Sequence, residues 1–142
     1  MTARSKRVKP GRAIKTFRRV FDSRPAGEIL LANQDGCREL LNVGYFYFDL
    51  YGKYNPGLCS GLSVFHGDMG TPLDACKYPL LNTLFRPGIG RFIDLASREY
   101  EYEPGGRYMS KCDLCLDIRE CLVLEKGIDS PELQLGEFYE NG

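Results

Sequence analysis

At 142 residues, 43% hydrophobic, 27% charged and with no net charge, the chain has the composition of one globular domain large enough to bury a core without covalent staples. No apolar run approaches the ~20 residues that cross a bilayer. The basic start, Met1-Thr-Ala-Arg4-Ser-Lys6-Arg7, is not followed by the apolar stretch of a secretory signal, so a reducing, cytoplasmic setting is expected. In that setting six cysteines point to metal or redox chemistry before structural disulfides.

Charge is unevenly placed. Residues 1–24 carry nine Lys or Arg against Asp22 alone, a net of +8, and the rest of the chain carries −8. Residues 1–10 read as a basic disordered arm and 11–142 as the folded domain. Only Phe17 and Phe21 interleave with these cations, too few aromatics for a nucleic-acid grip, so nucleic acid is not the expected partner.

In chain order, Ala13, Ile14, Phe17, Val20 and Phe21 are spaced as on a helix over 12–21, which Arg24-Pro-Ala-Gly27 closes. Glu28–Ala32 is expected to be extended. Asn33-Gln-Asp-Gly36 is turn chemistry, and Cys37-Arg-Glu-Leu-Leu41 a helical turn. Val43–Tyr51 predicts a strand, with Tyr51-Gly-Lys-Tyr54 as a hairpin tip. Cys59 then sits between Gly57 and Gly61, where the backbone can pass close to a bound group and aim amide N–H groups at it. Phe65–Thr71 reads as loop, and helices are expected at Leu73–Phe85 and Ile89–Tyr100. Pro104-Gly-Gly106 is a turn, and Leu116–Lys126 is expected to be helical, stopped by Gly127. In the acidic tail, Leu133, Leu135, Phe138 and Tyr139 are available to fold back on the domain. The predicted class is α+β: a small hairpin or sheet and several helices around a cysteine-ligated cluster site.

The six cysteines separate by position. Cys112 and Cys115 form a C-x2-C pair that reaches one metal or one cluster from a single turn. Cys59 lies on its glycine turn and Cys37 where a loop becomes helical; with the pair they make the candidate ligand set. Cys121 shares an apolar stripe with Leu114, Ile118 and Leu122, where a thiol behaves as a small hydrophobe, and Cys76 is read as a packing residue. Structural zinc tends to use two short knuckles, and only one exists here; single cysteines at the ends of hairpins and helices suit the corners of a cubane. Spacing therefore favours a cluster over zinc, with zinc and metal-free thiols as the open alternatives.

At these residues the chain resembles the C-terminal auxiliary-cluster region of radical S-adenosylmethionine proteins, the SPASM or twitch domain. The likeness runs through Gly11-Arg-Ala13, Cys37, Asp49-Leu-Tyr-Gly-Lys-Tyr-Asn-Pro-Gly-Leu-Cys59-Ser-Gly-Leu62, Asp74-Ala-Cys-Lys-Tyr-Pro-Leu-Leu81, Gly88-Ile-Gly90 and Ser110-Lys-Cys-Asp-Leu-Cys-Leu-Asp-Ile-Arg119. The most specific part is D-x-Y-G followed by P-G-L-C-x-G. The resemblance implies one auxiliary [4Fe–4S] cluster on Cys37, Cys59, Cys112 and Cys115, serving electron transfer or substrate positioning. A full SPASM pattern continues C-x2-C-x5-C-x3-C and carries a second cluster; Cys121 matches its third cysteine but Glu125 stands at the fourth, so one cluster is implied. No cysteine spacing gives the C-x3-C-x2-C of the barrel that cleaves S-adenosylmethionine. The chain by itself is therefore not expected to generate a radical. The expected partner is a radical S-adenosylmethionine barrel chain or its substrate, with this chain either a severed piece or a separate subunit.

Other chemistry is weakly represented. His66 is the only histidine, expected to be exposed or locally hydrogen-bonded, and no second one exists to build a hydrolase triad. Asp113 and Asp117 flank the C-x2-C pair on one helical face and are expected to be solvated. Gly88-Ile-Gly90 is too short to cradle phosphate. The nine tyrosines and eight phenylalanines are expected in the core and hairpin.

Overall fold

The computed structural model describes residues 17, 20–41, 44–56, 59 and 61–140. The basic arm, most of the expected helix over 12–21, Val43 and the Gly57 side of the cysteine turn lie outside these residues. Among the described residues the class is α+β, with six α-helices and two small antiparallel sheets.

Strand β1 (Arg24–Pro25) pairs with β5 (Arg107–Tyr108), Arg24 opposite Tyr108. Helix α1 (Ala26–Ala32) follows at once, where extended chain was expected. Ala, Glu and Leu are strong helix formers, and burying Ile29 completely rewards the helical turn, although Pro25 at the N-cap makes no side-chain capping bond. Asn33 ends α1 by donating its side-chain amide to the Ile29 carbonyl at 2.8 Å. Helix α2 (Arg38–Leu41) is the expected turn after Cys37 and buries Leu40.

Strands β2 (Phe46–Phe48), β3 (Lys53–Pro56) and β4 (Val64–Phe65) form the second sheet in that order. Phe46 pairs with Pro56 and Phe48 with Tyr54, leaving the turn at Tyr51-Gly52, where Gly52 takes φ +73°. Asp49 closes that turn by accepting the N–H groups of Tyr51 (2.9 Å) and Lys53 (3.0 Å). Phe46, Phe48 and Tyr54 pack ring on ring across the hairpin as expected, although Tyr45, Phe46, Tyr47, Phe48 and Tyr51 are all exposed. The core aromatics are instead Tyr78, Phe92, Tyr102, Tyr108 and Tyr139.

Helix α3 starts at Pro79 and ends at Phe85, shorter than the expected Leu73–Phe85. Proline is well placed in a first helical turn, where its missing N–H is not needed. The buried carboxylate of Glu132, distant in sequence, accepts the free N–H groups of Leu80 (3.1 Å) and Leu81 (2.8 Å). Helix α4 (Ile89–Tyr100) has the expected bounds and buries Ile89, Phe92, Ile93 and Ala96, the i, i+3, i+4, i+7 stripe. Helix α5 (Lys111–Glu120) begins before the C-x2-C pair, because Ser110 caps it by accepting the Asp113 N–H at 3.3 Å. It runs on through a π-type turn, Cys121–Glu125. Leu133, bridged to Leu62, and Tyr139 of helix α6 (Gly136–Glu140) fold back into the core as expected, while Leu135 and Phe138 stay partly exposed. No helix among the described residues is long and apolar enough to cross a membrane.

Candidate metal centre

Three separate segments meet at one cavity of about 100 Å³. Cys37, Cys59, Cys112 and Cys115 all line it, whereas Cys76 and Cys121 do not. Its apolar wall is Leu62, Leu84, Ile89 and Leu116, and its charged wall Asp35, Glu39, Lys111 and Arg119.

Close packing of backbone on backbone sets Cys37. Its N–H donates to the Leu84 carbonyl at 2.9 Å, tying the loop before α2 to the end of α3. The preceding Gly36 lies so close to the Phe85 carbonyl that a side chain would collide with it, and Gly88 (φ +118°) lies as tightly against Asp35. Glycine at both positions is what lets the loop reach the cavity. Cys59 leaves β3 with its N–H on the Pro56 carbonyl at 3.3 Å. Two residues on, Gly61 (φ +92°) has no room for a side chain, since a Cβ there would stand 2.5 Å from an Arg119 Nη. Cys112 and Cys115 occupy the first turn of α5, and Arg119 follows one turn later on the same face, at i, i+3 and i+7.

Burial raises the pKa of three of the cavity thiols, Cys37, Cys59 and Cys112. Burial pushes the Cys59 thiol up to about 12; Arg119 opposes this, while Cys115, Cys37 and Cys112 add to it. Burial also pushes Cys37 up to about 11, assisted by Glu39, to which its Sγ donates at 3.3 Å. Cys112 is an exposed residue, yet its surroundings still desolvate the thiol enough to raise its pKa. At the rim Lys111 Nζ meets Glu39 Oε2 at 2.7 Å. Burial alone would raise Glu39 and lower Lys111; their pairing reverses both shifts.

Among the described residues no three His, Cys, Asp or Glu side chains gather tightly enough to hold a single metal ion. The cavity lining offers four thiols together with the carboxylates of Asp35 and Glu39.

The remaining residues singled out from sequence fall as follows. Cys121 is 2% exposed among Leu114, Ile118 and Leu122, the expected apolar stripe. Cys76 is exposed and not a packing residue: Asp74 Oδ1 accepts its N–H at 2.8 Å, holding it in a surface turn ahead of α3. His66 is exposed, with Nδ1 3.0 Å from the Gly52 carbonyl oxygen. Asp113 and Asp117 are not solvated but 2% and 5% exposed. Asp117 Oδ2 accepts both the Tyr102 (2.7 Å) and Tyr108 (2.8 Å) hydroxyls, and Asp113 Oδ2 accepts the Met109 N–H at 3.0 Å. Burial, reinforced by the Asp117 charge, keeps both phenols neutral, pushing Tyr108 up to about 12.

Arg119 was not singled out from sequence, although its register with Cys112 and Cys115 was readable. It is 4% exposed and donates Nε–H to the Cys115 carbonyl at 3.3 Å. Burial alone would weaken its charge, but Cys115, Tyr139 and Cys59 around it hold its pKa above the ordinary guanidinium value. No protein-family model, curated protein or solved structure matches the chain significantly.

Proposed function

We propose that this chain is a non-catalytic domain that holds one [4Fe–4S] cluster through Cys37, Cys59, Cys112 and Cys115. The observation that carries this reading is the sorting of the cysteines: four from three distant segments line one cavity, and the other two stand apart from it. The likeness of the hairpin and its P-G-L-C-x-G turn to auxiliary-cluster domains of radical S-adenosylmethionine proteins supports the same assignment. A bound cluster supplies one-electron chemistry, or an iron corner for a substrate. The chain's own part is to supply four sulfurs, to exclude water with Leu62, Leu84 and Ile89, and to offset negative charge with Lys111 and Arg119. Cleavage of S-adenosylmethionine belongs in this reading to a partner barrel chain carrying C-x3-C-x2-C, and the cytoplasm is the compartment in which six cysteines outside any disulfide persist.

Anaerobic reconstitution with iron and sulfide tests the assignment. The wild type and Cys76→Ala should turn brown and keep acid-labile sulfide, whereas Cys59→Ala and Cys112→Ala should lose iron. Because metal binding and folding are coupled, both should also lose the thermal stabilisation that loading confers. Iron retained in full by Cys59→Ala would show that the ligands are wrongly chosen. Colourless protein with one bound zinc would favour a structural zinc module.

A further inference from the structure

Arg119 is an expensive residue to place where it is. A guanidinium 4% exposed has lost nearly all its hydration, a cost that only fixed partners and nearby negative charge offset. Its fixing is evident on three sides. The Cys115 carbonyl takes Nε–H, the buried Tyr139 hydroxyl is a further hydrogen-bond partner, and Gly61 leaves open the space a side chain would fill against Nη. The cation therefore cannot swing away when the charge of the cavity changes. Its position is also specific: it lines the cavity and lies one turn beyond Cys115. Gly61, the residue that admits it, lies two residues from Cys59. Two of the four cavity thiols, on separate segments, thus share one immobile positive charge.

We propose that Arg119 is a positioning residue whose fixed charge sets the electron affinity of the cysteine cavity, favouring the reduced, more negative state of the group held there. This rests on the cluster reading of the cavity. When a low-potential one-electron donor such as dithionite passes its electron to the site, the site gains one negative charge, and Arg119 stabilises that form more than the oxidised one. Preorganised charge in a desolvated cavity acts far more strongly than the same charge in water. Lys111 contributes less, because it is half-committed to Glu39 at the rim.

The experiment is a reductive titration, followed by electron paramagnetic resonance, of the anaerobically reconstituted full chain, with iron and sulfide measured on the same samples. Arg119→Met should keep its cluster and shift to a more negative midpoint potential, and Arg119→Lys should stay near the wild type. Iron lost from folded Arg119→Met but kept by Arg119→Lys has the same meaning. A wild-type potential in Arg119→Met overturns the proposal, as does loss of the cluster from both variants, which assigns the residue to shape alone. Should Arg119→Met not fold, Arg119→Lys decides: a wild-type potential supports the role of charge, and a shifted potential or failure to fold overturns it. A wild-type chain that binds neither iron nor sulfide overturns this proposal and the cluster reading together. A normal wild-type cluster with an unmoved Arg119→Met potential removes only this one.

Discussion

Helix α5 and the β2–β3 hairpin both deliver cysteines to the cavity, and they are built on opposite principles. Helix α5 is buried from Asp113 to Glu120 apart from the half-buried Leu116, and Cys112 at its start is exposed. Cys112, Cys115 and Arg119 face the cavity, Leu114 and Ile118 the apolar core, and Asp113 and Asp117 a set of tyrosine and backbone donors. The hairpin turns Phe46, Tyr47 and Phe48 outward and is held from behind by polar contacts. There, Asn55 is fully buried, Gln134 donates to Asp49 (3.1 Å) and Asn55 (3.0 Å), and Lys53 Nζ donates to the Leu133 carbonyl at 2.9 Å. The difference teaches where rigidity resides: the C-x2-C pair is set by a helix buried along most of its length, and Cys59 by a strand tied to the tail through a few hydrogen bonds.

If that contrast is right, substitutions in α5 should cost most. Asp117→Ala strands two buried phenols and should lower unfolding free energy by about 3 kcal/mol or more, read from urea denaturation of the metal-free chain. Gly61→Ala comes next. A φ of +92° and collisions with Arg119 and Phe138 should cost about 2–3 kcal/mol, and the thermal midpoint should fall accordingly. Equal stability of Gly61→Ala and wild type would mean that Arg119 is not held where we place it.

On the hairpin the expected effect is smaller and depends on pH. Burial alone would raise the Asp49 carboxyl, but N–H groups of Lys53 and Tyr51 and the amides of Gln134 and Asn55 hold it below the usual aspartate range. A lowered folded pKa means that the unfolded chain takes up the proton first as pH falls. The contribution of Asp49 is thus complete above its ordinary pKa of about 3.9 and drains away as pH falls through the folded value. Asp49→Asn should cost about 1 kcal/mol at neutral pH, a difference that closes in acid when urea midpoints are compared across pH. The smallest effects belong to the exposed side chains: Tyr47→Ser and Cys76→Ala should each stay within about 0.5 kcal/mol of wild type. A large loss in Tyr47→Ser would show that the outward face of the hairpin is covered in solution.

How much of this was legible follows from the range of the interactions involved. Helix α4 was readable to its ends because a local 3.6-residue period, closed by Glu101 in the left-handed region, determines it. The stripe through Cys121 was readable for the same reason. Asp117 was misread as solvated because its partners, Tyr102 and Tyr108, reach it through the turn at Gly105-Gly106, and no periodicity on α5 reports them. Residues Glu28–Ala32 were misread as extended because a seven-residue helix has too short a pattern to separate from a strand, and burial of Ile29 decides it. At the candidate site the glycine turn and the C-x2-C pair pointed to thiols that line one cavity. The charged wall did not emerge, since Arg119, Lys111 and Glu39 acquire their roles only when α5 meets the loop before α2.

Cys37, Cys59, Cys112 and Cys115 are proposed to hold one [4Fe–4S] cluster in the cavity they line. Iron and acid-labile sulfide counted per chain after anaerobic reconstitution and removal of excess reagents test it most directly. Four of each per wild-type chain, reached in a single saturable step, is the stoichiometry expected of one cubane. Protein that remains colourless, or that saturates with a single metal ion and no sulfide, would contradict it.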